Sequence, residues 1–169
     1  YGSNAPTRTD VGTTTVYYKV TNSNYNDFTG SFTCEVTPVD CDITLSETSG
    51  NTTYPTAKTF TATTSNGCTL TVSPTSGSTN VAIASISNGT VTATPQKTGT
   101  QIITVTASDN NNNHNNTAAT YTLTVNSGTI NATASNNSKV YDGTALTCNG
   151  NIVITAPSDG TTTQYATRT

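Results

Sequence analysis

Charged side chains are scarce in this 169-residue chain: Asp, Glu, Lys and Arg make up 9% of it, and the formal net charge is only −3. No basic run is present to meet a phosphate backbone, which argues against a nucleic-acid partner. There is no Trp to act as a sugar-stacking platform. The single histidine, His114, lies in the run Asp109-Asn-Asn-Asn-Asn-His-Asn-Asn116, where nothing fixes a nucleophile and a carboxylate beside it. No apolar stretch approaches the roughly 20 residues of a helical membrane span. No window of ten residues carries the i, i+3, i+4, i+7 apolar spacing of an amphipathic helix. No signal peptide is visible, so the chain is expected to be a mature fragment or one repeat of something longer. A catalytic site and a cofactor are not expected.

What the chain has is threonine, which supplies about a quarter of it. Thr is β-branched and stiff at χ1, so it suits a pleated strand and disfavours a helix. Only 31% of residues are hydrophobic, a level that accompanies disorder when net charge is high. Here the charge is low and the apolar residues alternate. Ile43-Thr-Leu45 opens a first strand, and Ser49-Gly50-Asn51 reads as a break. Ala57 and Phe60 are expected near a core. Asn66-Gly67 and Asn88-Gly89 are turn signals, because both residue types tolerate positive φ. Leu70 and Val72 alternate with Thr before Pro74. Val81 and Ile83 lead to the Asn88 turn, Thr90 to Thr94 follows, and Gln101 to Ala107 is the most apolar strand. Tyr121, Leu123 and Val125 share one face of the last strand. Short strands at turn spacings of about ten residues indicate an all-β sandwich.

The run VAIASISNGTVTATPQKTGTQIITVTAS, from Val81 to Ser108, resembles the group-2 type of bacterial Ig-like domain, which occurs as repeats in surface proteins. The resemblance implies a complete Ig-like sandwich over residues 41–126, and it is nearly silent on function. The flanks resemble a second bacterial Ig-like repeat family. Val140-Tyr-Asp-Gly-Thr-Ala-Leu146 is similar to that family's opening strand and turn. Thr9 to Val20 and Asn22 to Ser31 are similar to its later strand and its Asn-Tyr turn. In the family the opening motif comes first, whereas here the order is reversed. The resemblance therefore implies one split sandwich, with residues 127–169 as its first half and residues 1–40 as its second. Its seam would join Thr169 to Tyr1, completed head to tail by an adjoining copy or by continuing chain. Val16, Tyr18 and Val20 on one piece, and Ile152 and Ile154 on the other, would then share a core.

Four cysteines allow three pairings. The domain assignment that the resemblance implies favours Cys34 with Cys148 in the split domain and Cys41 with Cys68 in the central one. No Cys-x-x-Cys pair supports zinc. His114 is expected at a solvated hairpin tip, and its Asn-rich run lacks the alternating carboxylates of a calcium loop. Asp40 and Asp42 flank Cys41 at the domain junction and are equal candidates for an ion. Asn51, Asn88, Asn115, Asn131 and Asn136 each begin an Asn-x-Ser/Thr sequon and are possible glycosylation positions. The Thr-x-Thr pairs are explained as outward positions of two-faced strands rather than as an ice-binding face.

Together these features lead to the expectation of a structural repeat unit in an extracellular or cell-surface bacterial fibre or adhesin stalk. Its partners would be adjoining copies of itself. The alternative is a glycan- or protein-binding adhesin module that uses Tyr17, Tyr25 or Tyr54.

Overall fold

The alternation read between Ile43 and Val125 forms strands in a computed structural model that describes residues 6–65 and 67–147 and the backbone of 152–155. Among the described residues every regular element is a strand. The first three are β1 (Gly12–Asn22), β2 (Tyr25–Val36) and β3 (Val39–Asp40). Nine more build the centre: β4 (Ile43–Leu45), β5 (Ser49–Thr53), β6 (Lys58–Thr64), β7 (Thr69–Ser73), β8 (Ala82–Ser87), β9 (Thr90–Pro95), β10 (Gly99–Ser108), β11 (His114–Asn115) and β12 (Thr117–Asn126). Two lie beyond them, β13 (Asn131–Ala134) and β14 (Ile152–Thr155).

Two four-stranded sheets form the central sandwich, in the orders β5-β12-β10-β7 and β4-β6-β9-β8. Their inner faces meet through Phe60, Ala62, Ala82, Ala84, Val91 and Ala93 on one side and Val72, Ile103, Val105, Tyr121, Leu123 and Val125 on the other. Alanines on β8 and β9 leave room for the larger side chains of β10 and β12, which is how a thin core reaches close packing. Phe60 and Tyr121 stack with ring centroids 4.0 Å apart. Each large side chain buried in full stabilises the fold by about 1.5–3 kcal/mol. The face Tyr121, Leu123, Val125 read from the sequence is buried as expected.

Two local readings change. Ser49 to Asn51 is a strand rather than a break: β5 pairs in parallel with β12, from Ser49 opposite Thr122 to Thr53 opposite Asn126. It has no apolar alternation because it joins the sheet through its backbone. Gly50 is needed there, since a Cβ would collide with the Tyr121 hydroxyl. That hydroxyl is buried without a hydrogen-bond partner, and burial raises its pKa above the ordinary tyrosine value. Ala57 is exposed rather than near the core. The inward phase of β6 is set by Phe60 and Ala62, and Ala57 lies before the strand starts. On β8 the two alanines point inward while Val81 and Ile83 are half-buried.

The turn signals hold where they are described. Asn88 and Gly89 have φ of 47° and 76° and connect β8 to β9, as a two-residue hairpin with both residues at positive φ requires. Gly67 has φ of 83°; its neighbour Asn66 lies outside the described residues.

Candidate assembly surface

β1 and β2 pair antiparallel from Gly12 opposite Val36 to Asn22 opposite Tyr25, with one irregularity between Val20 and Asn22. Because side chains alternate across a strand, this register sorts the hairpin into two unlike faces. One carries Thr13, Thr15, Tyr17 and Lys19 opposite Glu35, Thr33, Ser31 and Thr29, with Lys19 paired to Asp27 two residues further along β2. The other carries Val16, Tyr18 and Val20 against Phe32, Gly30 and Phe28, continuing to Cys34 and Val36. The Tyr18 ring lies over Gly30, where a Cβ would meet it. It sits between Phe28 and Phe32, with centroids 6.1 Å and 6.5 Å away.

This aromatic face is in the open. Tyr18 is 39% exposed, Phe32 52%, Val20 58% and Phe28 61%. Comparable residues of the central sandwich are buried on an opposing sheet. The polar face is exposed as well at Thr13, Thr15, Tyr17 and Lys19, so the hairpin stands clear of the sandwich on both sides.

A second apolar surface lies after the sandwich. The motif Lys139 to Thr144 is closed by its own polar groups. Thr144 donates its backbone N–H to Asp142 at 2.9 Å and its hydroxyl at 2.8 Å, and Lys139 pairs with Asp142 at 2.7 Å. These contacts hold the Asp142 carboxyl below the usual carboxylate range, the lysine contributing most. Gly143 adopts φ of 77°, a left-handed turn residue. The apolar residues around this polar clip, Val140, Tyr141 and Leu146, are all exposed. Ahead of it, β13 pairs antiparallel with β14, from Asn131 opposite Thr155 to Ala134 opposite Ile152.

The two surfaces attach at opposite ends of the sandwich. At the first end, β3 pairs in parallel with β11, the Cys41 N–H donates to Asn115 at 3.0 Å, and the Thr117 hydroxyl donates to the Cys41 carbonyl. Asn113 ties the hairpin base there: its Oδ1 accepts the Val11 N–H at 2.8 Å and its amide donates to Asp10 at 3.0 Å. At the other end, the Tyr54 N–H donates to Asn126 at 2.9 Å, and Gly128 packs too close to the Tyr54 carbonyl to admit a Cβ. Both junctions, residues 37–41 and 125–130, are thus held by hydrogen bonds or close packing rather than free.

Cys41 and Cys68 form a disulfide that links the start of the sandwich to the residue just before β7. Cys34 is half-buried on the hairpin's apolar face and forms no disulfide among the described residues. Its expected partner Cys148 lies outside the described residues, as do both seam residues, Tyr1 and Thr169. The side chains of Ile152 and Ile154 lie outside them too.

His114 is not at a solvated tip. The connection from β10 to β12 folds around Asp109, which is only 8% exposed. Its carboxylate accepts from the backbone N–H of Asn111 at 2.9 Å and of Asn113 at 3.0 Å, and from His114 Nδ1 at 2.9 Å. A carboxylate can only accept, so Nδ1 carries the proton. The histidine contact first, and then the backbone donors, hold the Asp109 carboxyl below its ordinary pKa against the opposing effect of burial. A run of asparagines gave no sign of this; the readable signal was an Asp followed by Asn residues, a pattern that favours side-chain-to-backbone turns.

Among the described residues no three His, Cys, Asp or Glu side chains converge as metal ligands would. Asp40 accepts from the Asn115 amide at 2.9 Å, and the Asp42 N–H donates to the Ser65 hydroxyl oxygen at 3.1 Å. All five sequon asparagines, Asn51, Asn88, Asn115, Asn131 and Asn136, are exposed. Asn88 is committed to its turn, and Asn115 spends its amide on Asp40. Tyr17 and Tyr25 are exposed on the polar face of the hairpin, while Tyr54 packs partly against the core. Tyr17 stands opposite Ser31, which places it about 20 Å from Tyr25 along β2 at the usual strand rise. No protein-family model matches the chain, and neither does any curated protein.

Proposed function

We propose that this chain is a structural unit of an extracellular bacterial fibre or adhesin stalk, in which adjoining copies complete one another head to tail. The observation that carries this reading is the open aromatic face of the β1–β2 hairpin, beside a central sandwich whose two sheets cover each other. A two-stranded ribbon with an exposed apolar face is at best marginally stable alone. It gains stability when a second layer covers that face. Continuation of the same polypeptide and addition of a separate subunit would both supply such a layer, the second as a form of strand complementation.

The unit suits a mechanical task. Force along the chain would enter through a junction stapled by Asn113 and leave through one packed on Tyr54. Between them it would load the long β10–β12 ladder. The Cys41–Cys68 link sits where the first strand would peel, and a disulfide fits an oxidising location outside the cell. Electron microscopy of the concentrated protein should show filaments one sandwich wide, lengthening with concentration. Compact single particles at every concentration would overturn the reading.

A second reading rests on the exposed Tyr17 and Tyr25: a module that binds a glycan or a protein through the hairpin's polar face. Their separation argues against a single platform. Specific retention on a glycan array, abolished by Tyr25→Ser with filaments unaffected, would favour it.

A further inference from the structure

We propose that the Asp109 carboxylate is the latch of the joint between the β1–β2 hairpin and the sandwich: ionised, it locks the hairpin onto the sandwich, and protonated, it releases it. The joint lies within one chain, so the inference does not depend on the fibre reading.

The chain enters the hairpin through Asp10 and Val11 and leaves it through Val39, Asp40 and Cys41. One short segment, Asn113 to Asn115, grips both passages. On the entry side, Asn113 accepts the Val11 N–H at 2.8 Å and donates to Asp10 at 3.0 Å. On the exit side, His114 and Asn115 pair in parallel with Val39 and Asp40. There the Asn115 carbonyl accepts the Cys41 N–H at 3.0 Å, and its amide donates to Asp40 at 2.9 Å. What fixes that segment is Asp109. Its Oδ2 accepts from the Asn113 N–H at 3.0 Å and from His114 Nδ1 at 2.9 Å, while Oδ1 accepts from the Asn111 N–H at 2.9 Å. The His114 ring is backed by Gly67, where a Cβ would lie 3.3 Å from Cε1, next to the Cys41–Cys68 disulfide. The grip on both ends of the hairpin thus converges on a segment whose own position is set by one buried carboxylate.

Only the ionised carboxylate suits this site. Three donors point at it, and a proton on either oxygen would set a donor against a donor, which is costly for buried groups. His114 donates through Nδ1 whether the ring is neutral or charged, so its own titration leaves the contact in place. His114 is the only ion-pair partner of Asp109 among the described residues. The other charged groups at the joint are Asp10 and Asp40, which accept from Asn113 and Asn115, and Asp42, whose N–H donates to Ser65. Arg8 is spent on the Val11 carbonyl and the Thr14 hydroxyl. The Asp109 carboxyl is held below its ordinary pKa, by His114 first. The closed joint is therefore at full strength above the ordinary aspartate value of about 3.9. It is lost as pH falls through the lower value of the closed state.

Amide hydrogen exchange on the intact chain, corrected for intrinsic exchange chemistry, tests this at two positions. The Val11 and Cys41 N–H groups bridge the joint and donate to Asn113 and Asn115 rather than to Asp109, so their protection reports the joint and not the turn around the carboxylate. In the parent both should be protected at neutral pH and lose about tenfold or more of that protection below pH ~3.9. The β10–β12 ladder should keep its protection throughout. Asp109→Asn puts an amide nitrogen where an acceptor is needed, so it should show the same loss at neutral pH and no further loss in acid. Asp10→Asn/Asp40→Asn should retain the parent's acid response. Unchanged protection of Val11 and Cys41 in acid would overturn the proposal. An acid loss that persists in Asp109→Asn, or vanishes in Asp10→Asn/Asp40→Asn, would place the switch in other carboxylates and overturn it too. If the ladder loses protection together with Val11 and Cys41 in the acidified parent, the whole sandwich is opening and there is no latch. That acid series decides the matter by itself should Asp109→Asn fail to fold.

Discussion

The central sandwich and the hairpin that precedes it are written in the same chemical language and end in opposite states. Tyr121 and Tyr18 both sit on two-faced strands, and both lie over a glycine: Gly50 for the first and Gly30 for the second. Tyr121 is fully buried and Tyr18 is 39% exposed. The difference is the presence of a facing sheet. Alternation is enough to sort a strand into an apolar and a polar face, but only a second layer removes the apolar one from water. Where the chain supplies that layer the result is a closed body. Where no described residue supplies it, the apolar face stays exposed.

The sharpest break of this comparison is a pair of truncations. Leu123→Ala, in the closed core, should destabilise the sandwich by about 2–5 kcal/mol in chemical denaturation. Phe28→Ser, on the open face, should change the same monomer transition by no more than about 0.5 kcal/mol while weakening association. If the two losses of monomer stability were equal, the hairpin would have to be part of the same core. Next in size, Cys41→Ala/Cys68→Ala should lower stability by about 2–4 kcal/mol, and the hairpin register should survive, as amide exchange would report.

Smaller effects sharpen the glycine parallel. Gly50→Ala should cost about 1–3 kcal/mol through overpacking against Tyr121. Tyr121→Phe removes a buried hydroxyl that has no partner, so it should leave stability unchanged or raise it by about 1 kcal/mol. The double variant should recover most of the Gly50→Ala loss, read by thermal melting as a non-additive pair. Gly30→Ala should have no such partner effect on the melt of the sandwich.

The smallest effect concerns acid. The Asp109 carboxyl ionises more readily in the folded chain than in the unfolded one. Its stabilisation is therefore complete above the ordinary aspartate value of about 3.9 and is lost as pH falls through the lower folded value. Asp109→Asn should lower the melting temperature at neutral pH and flatten its decline on acidification. An unchanged acid limb would show that the His114 and backbone contacts do not favour the ionised form.

Much of the centre was legible because its signals are local. Asn88-Gly89 marks a turn wherever it occurs between strands, and Tyr121, Leu123 and Val125 declare a face by period alone. Strand β5 was not legible, since Ser-Gly-Asn-Thr-Thr carries no apolar rhythm and pairs through its backbone. The Asp109–His114 arrangement was hidden too, because four near-identical asparagines look like a solvated tip until the carboxylate at their head gathers their N–H groups. On the candidate surface, the sequence named Val16, Tyr18 and Val20 as needing cover. It could not reveal that Phe28 and Phe32 share their face, since that depends on cross-strand register.

By itself, then, the sequence determined that this is an all-β protein with a covered centre and apolar strands at both flanks, because side-chain alternation is a property of neighbouring residues. Only the tertiary structure decided that the two apolar flanks leave the sandwich at opposite ends. That separation is set by the length and direction of β12, and direction in space arises only once strands have paired.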